Sequence, residues 1–211
     1  MGNELSEAAI DANYDILASL VTEHCYDFAF LLSKLKDLDD ALGLKYAPAG
    51  VGIHHAYKGG LVVHYLEMWA IHLQLHTADV DCGKFDKGEV LRAIILHDLH
   101  KAYYCFGLSD DDTGAVVYLN SLHNTFASNN MLSLYLAILH GCNITPLVLN
   151  SLCNAEGGWA KDPSKVCSSF AKYIYTLDEL SSNVRATENE ELNLRASKYK
   201  CKARDLDFSV M

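Results

Sequence analysis

The sequence predicts an all-α protein, and three observations support this class. Half of the 211 residues are apolar, enough for one sizeable core. Only 3 prolines and 13 glycines interrupt the chain, so long stretches can form helices. Apolar residues recur at three- and four-residue steps, and no segment gives a strong strand signal. We therefore expect one helical domain over residues 1–211, with its core at about 50–185.

The first half of the chain divides into helices separated by one glycine-rich segment. Residues 6–42 read as two amphipathic N-terminal helices or one kinked helix. Glycines and a proline predict a loop from 43 to about 60. Helical periodicity then resumes over two ranges, 61–76 and about 87–104.

The second half begins with an acidic loop at 109–114 and has helical patterns at about 116–127 and 131–140. Thr145-Pro146 and Asp162-Pro163 each place a capping residue before a proline at the first helical position, which predicts two more helix starts. Gly157-Gly158 ends the first of these helices, and the second extends to about Arg185. Residues 187–211 form a charged C-terminal extension, either a solvated helix or a tail.

Charge and cysteine content limit the function classes. With 17 basic and 27 acidic residues the net charge is −10, which argues against non-specific binding to nucleic acid or to anionic membranes. No apolar run reaches the roughly 18 residues of a membrane span. The first residues lack the pattern of a secretory signal, and the seven cysteines form no CxxC pair. We expect a cytoplasmic protein with reduced thiols.

Ten histidines are many for this length, and one of them precedes an aspartate directly, at His97-Asp98. His97 and His64 each share a helix face with apolar residues, so both are expected to face the core. Asp178 interrupts an otherwise apolar helix face. A buried carboxylate is costly unless it is paired or binds a metal, so polar groups on three helices point to a shared cation.

These residues resemble the HD-domain superfamily of metal-dependent phosphohydrolases, an all-α superfamily with an H…HD…D signature. Residues 54–64 (HHAYKGGLVVH) are similar to the family's HHxYxGGLxxH segment. Residues 97–101 (HDLHK) resemble HDxGK, with His100 where glycine is usual, and residues 177–181 (LDELS) resemble its closing ADxLS segment. The resemblance covers roughly residues 50–185.

The resemblance implies one or two divalent transition-metal ions. The first would be held by the four residues that match the signature: His64, His97, Asp98 and Asp178. His123 and His140 stand where members with two metals have further ligands, in the order H…HD…H…H…D, with Asp98 bridging the ions. Imidazole and carboxylate ligands suit Mn, Fe, Co, Ni and Zn alike, so the sequence does not select the metal.

The same reading assigns substrate contacts. Asp98 and Lys101 are the expected catalytic residues, because Lys101 lies one helical turn from His97 and is placed to bind a phosphate oxygen. His55 and Lys58 just precede the first ligand and are candidate substrate contacts. Arg185 is a candidate anion clamp, since its guanidinium matches phosphate.

Three functions follow as hypotheses. The leading one is hydrolysis of a nucleotide or another small phosphate ester by metal-activated water, because two nearby cations activate water and neutralise charge at phosphorus. The second is a mixed-valent diiron oxygenase of the same superfamily, which shares the six-ligand order. The third is a non-catalytic metal- or nucleotide-binding module. The sequence is compatible with a homo-oligomer.

Two other histidines on the His64 segment, His72 and His76, are interpreted as bystanders. Their i, i+4 spacing permits a surface metal contact, but they lie about 80–120° around the helix from His64. We therefore expect them on a solvated face.

Overall fold

A computed structural model confirms the all-α class. It describes residues 5–38, 43–50, 55, 57–78, 85–103, 105–106, 116–117, 129–154 and 167–186, with the side chains of 105–106, 116–117 and 183–186 excepted. Within these ranges there are eight α-helices: α1 Glu7–His24, α2 Ala29–Leu35, α3 Gly43–Tyr46, α4 Gly60–Thr77, α5 Lys87–Asp98, α6 Asn129–Leu139, α7 Pro146–Asn154 and α8 Ser169–Ala186.

The N-terminal region forms two helices rather than one kinked helix. Ser6 caps α1 by accepting a hydrogen bond from the Ala9 N–H at 3.2 Å. At Cys25 the backbone leaves the helical conformation, and a short 3₁₀ helix, Tyr26–Phe28, leads into α2. The predicted glycine-rich loop begins with the single helical turn of α3.

Two of the predicted helices differ from the observed structure. Val116–Val117 is strand β2, which pairs antiparallel with β1, Cys105–Phe106. Two consecutive β-branched residues favour this extended backbone. Residues 118–127 of the predicted helix lie outside the described residues.

The last helix, α8, begins at Ser169, later than predicted. Ser168 is its cap, since its Oγ accepts from the Ala171 N–H at 3.1 Å, while Cys167 and Ser168 are themselves not helical. Residues 163–166 lie outside the described part of the chain. The neighbouring prediction is confirmed, because α7 begins at Pro146 with Thr145 Oγ1 accepting from Val148 N at 3.3 Å.

Helix α4 lies at the centre of the core. It packs against α1, α3, α5 and α8, and α5 in turn packs against α6 and α7. Buried side chains occur around most of the circumference of α4, including Leu61, Tyr65, Met68 and Trp69. A helix that is apolar all round is a buried helix. Polar side chains on α4 as far as His72 therefore lie in the interior, whereas Gln74, His76 and Thr77 at its C-terminal end are exposed.

The start of α4 depends on two glycines. Gly59 caps the helix in the left-handed conformation, with φ of +82°. A Cβ on Gly60 would lie 2.0 Å from the carbonyl oxygen of His55, so a side chain there would displace this backbone. The glycine pair thus lets residue 55 pack against the first turn of α4.

The structure also bears on two predictions from the sequence, those on membrane spans and on the cysteine thiols. None of the helices in the described ranges combines the length and apolar character needed to cross a membrane. Cys25, Cys142, Cys153 and Cys167 are free thiols.

Candidate metal centre

Three helices bring four polar side chains of the predicted signature together. From α4, His64 Nε2 lies 3.3 Å from His97 Nε2 of α5 and 3.2 Å from Asp178 Oδ1 of α8. Asp98 Oδ2, at the end of α5, lies 3.3 Å from His97 Nε2 and 3.9 Å from His64 Nε2. We call His64, His97, Asp98 and Asp178 the HD cluster.

Both imidazoles direct Nε2 into the HD cluster because another group engages Nδ1. His97 Nδ1 lies 2.5 Å from the carbonyl oxygen of Ile94, which can only accept, so Nδ1 carries the proton. His64 Nδ1 lies 2.9 Å from Ser181 Oγ. With the proton on Nδ1, the Nε2 atom has a lone pair and is able to bind a metal.

The spacing of the donor atoms fits a transition-metal ion. Ligands about 2.1 Å from a metal and 90–109° apart are separated by about 3.0–3.4 Å. Three of the measured separations in the HD cluster, at 3.2 and 3.3 Å, lie in this range, and the 3.9 Å separations are modestly longer. The donor atoms of His64, His97 and Asp98 all lie within 4.8 Å of one another. Mixed nitrogen and oxygen donors suit the ions that the sequence predicted.

Burial and neighbouring groups act in opposite directions on the pKa values of Asp98 and Asp178, and for both carboxyls the lowering effect is the larger. Burial by itself would raise the pKa of Asp98, but the charges on His97 and Lys101 outweigh it and hold the pKa well below its usual range. The pKa of Asp178 is lowered to about 2, because hydrogen bonding to His64 and the charge on His97 outweigh the effect of burial. Both groups are therefore carboxylates at neutral pH.

The pKa values of His64 and His97 shift in opposite directions. His64 is fully buried, and this burial lowers its pKa despite the attraction of Asp178. Burial also disfavours the charged form of His97, but the neighbouring Asp98 outweighs it and raises the pKa of His97. Protonation therefore competes with metal binding more strongly at His97 than at His64.

Lys101 is the predicted substrate residue that lies next to the HD cluster. It stands on a 3₁₀ helix, Leu99–Tyr103, that continues α5. Its Nζ contacts Asp98 Oδ2 at 2.5 Å and also donates to the carbonyl oxygen of Ala49. The side chain is 14% exposed, so its charge lies at the edge of the cluster.

Two other predicted substrate residues have different surroundings. His55 is buried and its Nε2 lies 2.7 Å from Glu67 Oε2, so it faces the protein interior. Lys58 bonds to Glu7 Oε1 at 2.6 Å and lies over the ring of Tyr46. The assignment of these two residues as substrate contacts stays a prediction.

His140, one of the two predicted ligands of a second metal, packs away from the HD cluster. His140 follows the last residue of α6, and its ring packs against Phe30 at 5.9 Å. Ser133, near the start of α6, is the residue that reaches the cluster end of α5, where its Oγ accepts from the His100 N–H. His140 is seven residues further on, about 10 Å along the helix axis. His123 and the side chain of Arg185 lie outside the described residues.

Sequence reasoning missed two residues that support the HD cluster. Ser181 of α8 donates its hydroxyl to Glu67 Oε2 at 3.1 Å, and the same oxygen contacts His55 Nε2. Glu67 is 2% exposed and stands one turn after His64 on α4. A charged residue within the apolar run of residues 60–73 was the available signal for its burial.

A second histidine on α4 was predicted to be solvated, and the structure corrects this. His72 is fully buried, and its Nδ1 lies 2.7 Å from the hydroxyl of Tyr173 on α8. Burial, with the charges of His76 and Lys87, lowers the pKa of His72 to about 4. His76 is exposed, as expected.

Comparison of the chain with protein-family models, curated proteins and solved structures finds no significant match. The geometry of the HD cluster is therefore the basis for any functional conclusion.

Proposed function

We propose that the protein is a metal-dependent phosphohydrolase acting on a nucleotide or another small phosphate ester. The supporting observation is that the donor atoms of His64, His97 and Asp98 all lie within 4.8 Å of one another, with Asp178 Oδ1 of α8 3.2 Å from His64 Nε2. The Asp98 side chain is 13% exposed and that of Asp178 is 31% exposed, and both face two buried imidazoles. Removing charged groups from water is costly to a fold, so this arrangement favours a functional cation site over a structural one. The described residues supply ligands for one ion.

The residues around the HD cluster suit hydrolysis at phosphorus. A bound divalent ion makes a water molecule nucleophilic at neutral pH. The lowered pKa values keep Asp98 and Asp178 ionised, and these carboxylates would hold the ion together with His64 and His97. Lys101 places a positive charge beside Asp98, where it can bind an oxygen of the phosphoryl group. Because the chain carries a net charge of −10, this attraction must be local.

The acidic charge and the position of His140 favour this function over the alternatives. Polynucleotides are bound through extended basic surfaces, so a small nucleotide suits the charge balance better. The diiron oxygenase hypothesis needs His140 as a ligand of the second iron, whereas its ring packs against Phe30 beyond the end of α6. No observation favours a non-catalytic module.

The proposal is tested by metal reconstitution joined to a substrate panel. The full chain is stripped with a chelator, reloaded singly with Mn²⁺, Fe²⁺, Co²⁺, Ni²⁺ or Zn²⁺, and analysed for bound metal. Phosphate or pyrophosphate release is then measured across nucleoside mono-, di- and triphosphates and cyclic nucleotides. We expect about one ion per chain and activity that depends on it.

Two outcomes would contradict the proposal. Tightly held iron with oxygen consumption and no phosphate release would favour the oxygenase instead. Metal binding without turnover of any phosphate ester would favour a binding module.

A further inference from the structure

We propose that His55, Glu67 and Ser181 form a hydrogen-bond relay that fixes the proton of His64 on Nδ1, making Glu67 a positioning residue for the metal ligand. This inference deepens the proposed function and rests on its metal centre. None of the three relay residues belongs to the HD cluster itself.

The direction of the relay follows from its acceptor. A carboxylate has no proton to donate, so Glu67 Oε2 accepts from the Ser181 hydroxyl at 3.1 Å and from His55 Nε2–H at 2.7 Å. Because the only hydroxyl proton of Ser181 points to Glu67, its Oγ is left as an acceptor for His64. In the 2.9 Å hydrogen bond between them, the His64 Nδ1–H is then the donor and Ser181 Oγ is the acceptor.

The orientation matters because an imidazole that binds a metal carries one proton. If that proton is on Nδ1, the Nε2 lone pair faces the HD cluster. If it moves to Nε2, a hydrogen occupies the direction in which the metal would bind. Outer partners of this kind fix the tautomer and raise the basicity of a ligating histidine, and losing one typically weakens metal binding about 10–100-fold.

Burial supports a function for Glu67 beyond packing. The residue is 2% exposed and His55, its partner, is also 2% exposed. A hydrophobic side chain of similar volume would fill this position on α4 without the desolvation cost of a carboxylate. The structure instead places the Glu67 carboxylate in contact with Ser181 of α8, the residue that also contacts His64 Nδ1.

The same pair of helices provides a matched control. His72 of α4 also contacts a hydroxyl of α8 through Nδ1, that of Tyr173 at 2.7 Å. His72 lies eight residues after His64, about 12 Å along α4. Tyr173→Phe therefore removes the same type of buried contact without altering the relay.

The test compares Glu67→Gln, Ser181→Ala, their double variant and Tyr173→Phe in the full chain. A glutamine amide can donate to Ser181 Oγ, which turns the hydroxyl towards His64 and moves the imidazole proton to Nε2. Calorimetric titration with Co²⁺ should show binding weakened about 10–100-fold in each single variant. The double variant should be no weaker than Ser181→Ala, because both changes act through one hydroxyl. Tyr173→Phe should bind within about twofold of the parent.

A second readout is independent of both metal and turnover. Nitrogen NMR of His64 in the metal-free protein should place the proton on Nδ1 in the parent and on Nε2 in Glu67→Gln. A parent with the proton on Nε2, or a folded Glu67→Gln variant with parental Co²⁺ affinity, would overturn the relay. If Glu67→Gln does not fold, the Co²⁺ affinity of Ser181→Ala and the NMR spectrum of the parent test the relay. Failure of the proposed function would appear separately, as a parent that binds Co²⁺ and releases no phosphate.

Discussion

The helix pair α4 and α8 carries two buried histidines with similar inner partners and very different surroundings. His64 and His72 are each fully buried on α4, and each contacts a hydroxyl of α8 through Nδ1. The other ring nitrogen of His64, Nε2, faces the carboxylates of Asp98 and Asp178 and the imidazole of His97. At His72, Nε2 has no hydrogen-bond partner among the described residues, and the ring packs against Trp69 at 5.3 Å.

This difference identifies what makes a buried imidazole a candidate ligand. Burial and a hydroxyl partner are common to both positions, so neither is sufficient. What His64 has in addition is anionic charge that converges from two other helices, through Asp98 and Asp178. The convergence of several helices, more than the histidine itself, defines the centre.

The largest effect is expected when a carboxylate is removed from the HD cluster. Asp98→Asn keeps the shape of the side chain but leaves His64 and His97 with one anionic partner instead of two. Metal affinity should fall by more than about 100-fold, beyond the effect of losing an outer partner, and phosphate release should be lost. Calorimetry and the release assay measure both. Parental metal binding by a folded Asp98→Asn protein would refute the assignment of Asp98 as a ligand.

A smaller effect is expected from the cation beside the cluster. Lys101→Gln removes the charge that contacts Asp98 and that we assign to the phosphoryl group. The ratio kcat/KM should fall about 100-fold, as when one preorganised donor is removed, while about one metal ion stays bound. Steady-state kinetics on metal-loaded protein measure this. If kcat/KM is unchanged, Lys101 does not contact the substrate.

The pH dependence of stability distinguishes the His72 region. The pKa of His72 is about 4 in the folded protein and about 6.5 when unfolded, so between these values the unfolded chain binds the extra proton. Stability from this residue is therefore lost as pH falls, by about 2 kcal/mol between pH 7 and 5. Urea unfolding of the metal-free parent and of His72→Gln at both pH values should show that the variant lacks this loss.

The matched control for that measurement is His76→Gln, which alters an exposed histidine on the same helix. It should retain most of the pH dependence of the parent, because burial, the largest cause of the lowered His72 pKa, is unchanged. Equal slopes for the parent and His72→Gln would mean that His72 is charged or hydrated in the fold.

The smallest effect is expected at His140. Its ring packs against Phe30 beyond the end of α6, remote from the HD cluster. His140→Ala should leave the number of bound metal ions and their affinity within about twofold of the parent, as measured by metal analysis and calorimetry. A loss of one ion would restore the dinuclear hypothesis.

The HD cluster could be predicted because its residues interrupt helices that are otherwise apolar. His64, His97, Asp98 and Asp178 each break such a pattern, and burial of polar groups is informative in a single sequence. The helices themselves follow from periodicity, apart from boundaries such as Ser169 that depend on a competing cap.

The expectation for His72 was wrong, and several other contacts could not be foreseen, because they depend on residues distant in sequence. His72 was expected to face solvent from its angle to His64, but α4 is enclosed on most sides, so angle does not predict exposure. Lys58 pairs with Glu7, 51 residues away, and no local signal indicates that contact. Glu67 and Ser181 are 114 residues apart, so no local sequence pattern predicts the hydrogen bond between them.

The contact between His64 and Ser181 also joins positions 117 residues apart, which has a consequence for how the protein matures. During synthesis, α4 and α5 emerge long before α8, so His64, His97 and Asp98 exist in the nascent chain without Asp178 and without the hydroxyl that orients His64. Non-local contacts form late because closing a long loop is entropically costly. On the proposed function, the complete ligand set would therefore form only when α8 packs against α4, and a chain truncated before α8 would keep His64, His97 and Asp98 but lack Asp178 and Ser181.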